Sequence, residues 1–305
     1  VNDVIGELLP VFILIVLGYL IRVTRILSSE QFGHVNRFGY FILYPAFLFM
    51  LSSQADLSGG DTGSFLLGIL AGVTAMTLIT LAIRPFFGAE GPAYTSVFQG
   101  AVRWNGFVLF ASAEALYGPQ GLHYVAIAFG PLVLIVNLIC VIVLARWGDG
   151  RGTGWRAILD QIIVNPLIIG CAAGLSMQAI GVREFGPAGD VLEMLAAAAM
   201  PIALMCVGAG LDFKAVRAAR LKVGVATGMR LLLAPIVMWS AATAIGASPL
   251  SAAIAAGIGS TPTAAAAYPL AREMGGDAQL MAAIITMTTI VSFITMPIAI
   301  GLALP

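Results

Sequence analysis

Two short stretches of this 305-residue chain put polar and flexible residues where an apolar helix would otherwise run unbroken. One is Arg103-Trp104-Asn105-Gly106, inside an apolar block over about 92–117. The other is Gly259-Ser260-Thr261-Pro262-Thr263, inside a block over about 249–274. Pro262 has no N–H and breaks the hydrogen-bond ladder of its helix. Asn105 tolerates unusual backbone angles, and its amide can bond either freed backbone groups or a ligand. Gly106 beside it supplies flexibility. A helix broken inside lipid leaves N–H and C=O groups that must face protein, water or a ligand. If two such breaks meet, helix N-termini bring donors and partial positive charge, and C-termini bring carbonyls. That is a compact site for an anion, with oxygens that also suit a cation. The hydroxyls of Ser260, Thr261 and Thr263 either bond a carboxylate or re-satisfy the freed carbonyls.

Arg103 lies about halfway through its block, a depth at which a charge costs at least ~2.5–3.5 kcal/mol. It is either an anion-attracting charge or a structural arginine held by carbonyls freed at the break. Glu114 lies roughly three turns further on, shares a face with Arg103 and cannot touch it along one helix. It reads as a solvated acid at a helix end, or as a protonatable coupling group. The candidate binding set is therefore Arg103, Asn105, Gly106, Ser260, Thr261, Pro262 and Thr263, with Glu114 as the coupling candidate and no catalytic or metal-ligating residue. Asn137 and Asn165-Pro166 read as helix-packing glue. Arg230, about eight residues into its block, reads as snorkelling to the surface. Pro45 and Pro201 read as matched kinks, and the alanine runs at 196–199 and 264–267 as close helix contacts.

The elements that must position these residues are transmembrane helices. Hydrophobic residues make up 60% of the chain and charged residues 10%, against about 25% charged in soluble domains. The apolar residues fall in blocks of roughly 20, the length that spans the hydrocarbon core as helix. The ten-residue alternation of an outer-membrane barrel is missing. Ten blocks can be placed, at about 4–24, 36–55, 63–84, 92–117, 120–146, 157–179, 190–211, 222–246, 249–274 and 278–304. The first follows about three polar positions without a small-residue cleavage site, so it reads as a helix and not a signal peptide. Val1 at the start is compatible with a removed initiator residue or short leader.

With ten spans, one set of alternate loops and helix ends holds Arg22, Arg25, Arg37, Arg84, Arg146, Arg151, Arg156, Lys214, Arg217, Arg220, Lys222 and Arg272, and the other holds only Arg183. The positive-inside rule then puts both termini outside a plasma (inner) membrane. The chain also repeats itself. Pro45, Leu48 and Asp56 recur at a shift of 156 as Pro201, Leu204 and Asp212. Asn105, Gly118 and Ala126-Ile127 recur at 157 as Pro262, Gly275 and Ala283-Ile284. Two halves of five spans have opposite orientations, so this is an inverted 5+5 repeat: residues 1–147, a short cytoplasmic linker at 148–156, and residues 157–305. Interrupted helices at matching places are the sequence pointer to a transport site.

Several features together resemble the auxin efflux carrier family. They are Trp104-Asn105-Gly106, Pro262, the run Leu270-Ala271-Arg272-Glu273-Met274, Asn165-Pro166-Leu167 and Met296-Pro297. That family includes plant auxin exporters and bacterial carriers linked to malate or malonate. The resemblance implies an all-α fold similar to bile-acid–sodium symporters and some sodium–proton antiporters, with discontinuous helices 4 and 9 crossing. It implies a scaffold of helices 1, 2, 6 and 7 and a transport domain of helices 3–5 and 8–10. Carboxylate transport at the crossing and a homodimer are further implications. The chain departs from the family in three ways: its fourth-helix break lacks proline, Arg103 precedes Trp104, and the central loop is only about ten residues.

The expected function is secondary transport of a small organic anion by alternating access, with an anion channel or membrane-embedded sensor of the same fold as the alternative. A membrane-embedded enzyme is excluded, since no nucleophile with its base, paired aspartates or metal cluster lies within the apolar blocks. The only histidines are His34 and His123, and Cys140, Cys171 and Cys206 sit as small apolar residues. Zero net charge gives no reason to expect nucleic acid. No cofactor is implied, and a coupling proton or sodium ion is compatible with the residues.

Overall fold

A computed structural model describes residues 2–54, 61–88, 90–149, 164–182, 184–216 and 219–303. The described chain is helical: α1 (Asn2–Val23), α2 (Ser29–Ser53), α3 (Thr62–Ala82), α4 (Gly91–Val102), α5 (Gly106–Trp147), α6 (Pro166–Ala179), α7 (Gly186–Ala209), α8 (Arg220–Ala244), α9 (Pro249–Ser260), α10 (Ala267–Glu273) and α11 (Ala278–Ala303). Seven stretches among the described residues are long and apolar enough to cross a membrane, and α6 and α9 are shorter apolar helices. The molecule is an all-α, multi-pass membrane protein. One of the seven stretches, Gly91–Trp147, has 57 residues. As a straight helix it would be about 85 Å long, far more than a bilayer needs. It is divided instead. Residues 103–105 leave the helix, and at Gly118 the backbone turns to φ 57, ψ −145, a conformation glycine adopts without penalty.

The predicted start of the sixth block, the 148–156 linker apart from its first two residues, and Arg151, Arg156, Arg183, Arg217 and Asp56 lie outside the described residues. The second block begins earlier than expected. Ser28 and Gln31 form a reciprocal capping box that starts α2 at Ser29, ahead of its apolar stretch.

α1 packs along α7, the second half of α2 along α6, and α3 along the second half of α8. Small residues permit this closeness: a Cβ on Gly208 would overlap the Ile15 carbonyl oxygen, and one on Gly170 the Pro45 backbone. α2 and α8 each widen into one π turn, at Gly39–Leu43 and Met229–Leu233, just ahead of Pro45 and Pro235. A proline cannot donate to the carbonyl one turn back, and the wider turn lets the preceding Tyr44 and Ala234 N–H groups reach the Gly39 and Met229 carbonyls. The main core joins α2–α7, α8 and α9, centred on Phe65, Tyr94, Phe98, Phe110 and Leu132, all essentially without exposed surface.

Candidate functional site

Both predicted interruptions are present, and they touch. α4 ends at Val102, and the Arg103 N–H donates to the Gln99 carbonyl. α9 ends at Ser260, and the Thr261 N–H donates to the Gly257 carbonyl. Across the gap the Asn105 N–H donates to Thr261 Oγ1 (3.3 Å), and Thr263 Oγ1 donates to the Gly100 carbonyl (2.7 Å). The Asn105 side chain caps α5, its Oδ1 accepting from the Val108 N–H at 3.2 Å. The N–H groups of the first α5 residues point away from their own helix, toward the break.

A cavity of about 960 Å³ reaches from this point to the α1–α2 turn. Arg22, Ser29 and Arg37 stand at its mouth with Asp212. At its depth lie Arg103, Trp104, Asn105, Gly106 and Phe107, with Asn137 of α5, Tyr44 of α2 and Cys206 of α7 on the walls. Arg103 is 93% buried, being only 7% exposed. Its Nη2 donates to Asn137 Oδ1 at 2.6 Å, while Nη1 is buried without a partner. The only ion pair among the described residues, Lys222–Glu90, is at the surface, so no carboxylate offsets the charge of Arg103.

The structure divides the sequence-predicted set. Arg103, Asn105 and Gly106 line the cavity; Ser260, Thr261, Pro262 and Thr263 are buried and do not line it. Their hydroxyls are committed to backbone: Ser260 to the Gly257 carbonyl (3.0 Å), Thr261 to the Ile258 carbonyl (3.1 Å) and Thr263 to Gly100. The Thr263 N–H in turn donates to Thr288 Oγ1. Glu114 is exposed and outside the cavity. Gly106 meets a requirement other than flexibility. Its φ is not left-handed, but the Phe129 ring lies where its Cβ would be.

Arg230 corrects the sequence reading. It does not snorkel: it is 3% exposed, and its Nε donates to the Thr261 carbonyl (2.9 Å) and its Nη2 to Thr261 Oγ1 (3.0 Å) and the Ile258 carbonyl. A guanidinium thus closes the carbonyl end of α9, where the helix dipole is negative. Asn137, read as packing glue, proves to be the partner of Arg103. A second mid-span arginine, near the matching break, was the signal available for Arg230. Nothing in the spacing links residues 103 and 137.

Comparison with known proteins points to membrane transporters. The model of the membrane transport protein family matches residues 156–300. Over that stretch the chain is similar to the membrane transport protein family. Similarity to individual transporters extends along nearly the whole chain. An "uncharacterized transporter" of Methanothermobacter thermautotrophicus is 24% identical over 292 residues, covering 95% of both chains. A "putative malonate transporter" of Rhizobium meliloti is 25% identical over 309 residues, covering 96% of this chain and 93% of its own. No group of His, Cys, Asp and Glu among the described residues is arranged to hold a metal. The break between α4 and α5 lies outside the matched family segment, so what it does rests on its own geometry.

Proposed function

We propose that the chain is a secondary transporter of a small organic anion, a carboxylate such as malonate, malate or an auxin-like acid, working by alternating access at the paired breaks. One observation carries the reading: Arg103 is buried in the cavity wall with a free guanidinium nitrogen and no acid beside it. A charge so placed is expensive until a counter-ion arrives. The N-terminus of α5, aimed at the same point, favours negative charge as well. The name of the Rhizobium relative makes malonate the first ligand to test.

The ten-span inverted repeat belongs to the same proposal. Its support is backbone conformation: left-handed residues at Arg25, Gly88 and Gly118 recur at Gly181, Gly246 and Gly275, at shifts of 156, 158 and 157. Each pair falls at the corresponding helix end when α4–α5 and α9–α10 are read as broken helices 4 and 9. The pairing of α1 with α7 and α2 with α6 supports a scaffold separate from a transport domain of the remaining helices. The cavity mouth beside Arg22 and Arg37 then faces the cytoplasm, with both termini outside. A homodimer is carried by the family resemblance alone. A coupling proton or sodium ion stays in the proposal, with exposed Glu114 as the protonatable group nearest the break on α5.

The test is uptake of labelled malonate and malate into proteoliposomes. Saturable uptake should fall about 100-fold in Arg103→Gln, the scale expected on removing one side of a buried charge pair. Asn105→Ala should also reduce it strongly. If no carboxylate binds or moves, the reading fails. Non-saturating unitary currents would indicate a channel instead.

A further inference from the structure

We infer that Asn137 sets the charge selectivity of the cavity, by holding Arg103 in place while leaving its charge uncancelled. The inference rests on the proposed anion site and adds a residue to it. Arg103 and Asn137 lie 34 residues apart, at the α4–α5 break and on the later part of α5. Asn137 lines the cavity, and its Oδ1 accepts from Arg103 Nη2 at 2.6 Å. A carboxylate would suit that position geometrically, since aspartate has the same size and acceptor. It would also neutralise the guanidinium. An amide supplies the acceptor without the charge, so Arg103 is oriented yet keeps its full positive charge, and Nη1 remains free.

Arg230 shows the alternative arrangement in the same fold. Its guanidinium is turned onto the Ile258 and Thr261 carbonyls and lies away from the large cavity. Of the two mid-span arginines, only Arg103 combines a neutral side-chain partner, an unused donor and a place on the cavity wall. A carboxylate in the cavity is then drawn by the uncancelled positive charge of a residue in its wall.

The decisive variant is Asn137→Asp, nearly isosteric and able to keep the hydrogen bond. Malonate affinity is read from thermal stabilisation of the purified full chain in detergent. The variant should bind malonate at least ~30-fold more weakly, because Arg103 is already neutralised. Its unliganded melting temperature should stay level or rise, since an uncompensated buried charge gains a partner. A residue that served packing alone would not produce that combination. Malonate affinity within threefold of the parent overturns the inference, and so does weaker binding accompanied by a lower unliganded melting temperature. Should Asn137→Asp not fold, Asn137→Ala decides: it should weaken malonate about tenfold by freeing Arg103 to move, and unchanged affinity overturns the inference. If the parent protein binds neither malonate nor malate, the anion-site reading itself has failed, which separates the two outcomes.

Discussion

A buried ionisable side chain takes its role from its partners. Arg103 and Arg230 carry the same group and are both buried, yet one lines a cavity with neutral side chains beside it and the other closes a helix end. Asp61, just before α3, shows the same logic outside the spans. Its Oδ1 accepts from the Ser248 N–H (2.9 Å) and its Oδ2 from the Tyr124 hydroxyl (3.2 Å). Burial pushes this carboxyl up, but hydrogen bonds from Ser248, Ser251 and Tyr124 outweigh it and hold it below the usual range. A carboxylate with a depressed folded-state pKa stabilises the fold above its unfolded value of about 3.9, and that contribution disappears as pH falls through the folded value. Melting in detergent should therefore drop more steeply below about pH 4 in the parent than in Asp61→Asn. At neutral pH the variant should be less stable by ~1–2 kcal/mol.

At the scale of elements, a broken helix holds together only if its loose ends find partners. The α9 break is closed by Arg230, by the Ser260 and Thr261 hydroxyls and by the contacts of Thr263 with Gly100 and Thr288. Arg230→Met would leave the Ile258 and Thr261 carbonyls without their guanidinium, at a cost of ~2–4 kcal/mol, readable as a lower melting temperature. Arg103→Gln should be close to neutral by the same measurement, because it removes an unbalanced charge held only by neutral side chains. If both variants lost stability equally, the difference drawn between the two arginines would be wrong.

Across the whole molecule, the cavity runs from the α4–α5 break to the α1–α2 turn. Cys206 stands on its wall, half-buried, whereas Cys140 and Cys171 are buried. A membrane-impermeant methanethiosulfonate reagent should react at Cys206 from the face bearing Arg22 and Arg37, and malonate should slow the reaction. In oriented vesicles that face should be the cytoplasmic one. Equal labelling from both faces, or labelling that persists in Cys206→Ser, would contradict this placement of the cavity.

Hydropathy and the sparse charge determined by themselves that the chain is a helical membrane protein, because lipid imposes both on any spanning segment. The positions of the two breaks were legible for a similar reason: Pro262, Asn105 and Gly106 act on backbone geometry locally, whatever surrounds them. Only the tertiary structure decided what those breaks face. It turned Ser260, Thr261 and Thr263 onto backbone and away from the cavity, gave Arg230 to the end of α9, gave Asn137 to Arg103, and made Gly106 the space for the Phe129 ring. Each of these depends on how far one helix is rotated about its axis against another, and a sequence in which nearly every face is apolar does not record that angle.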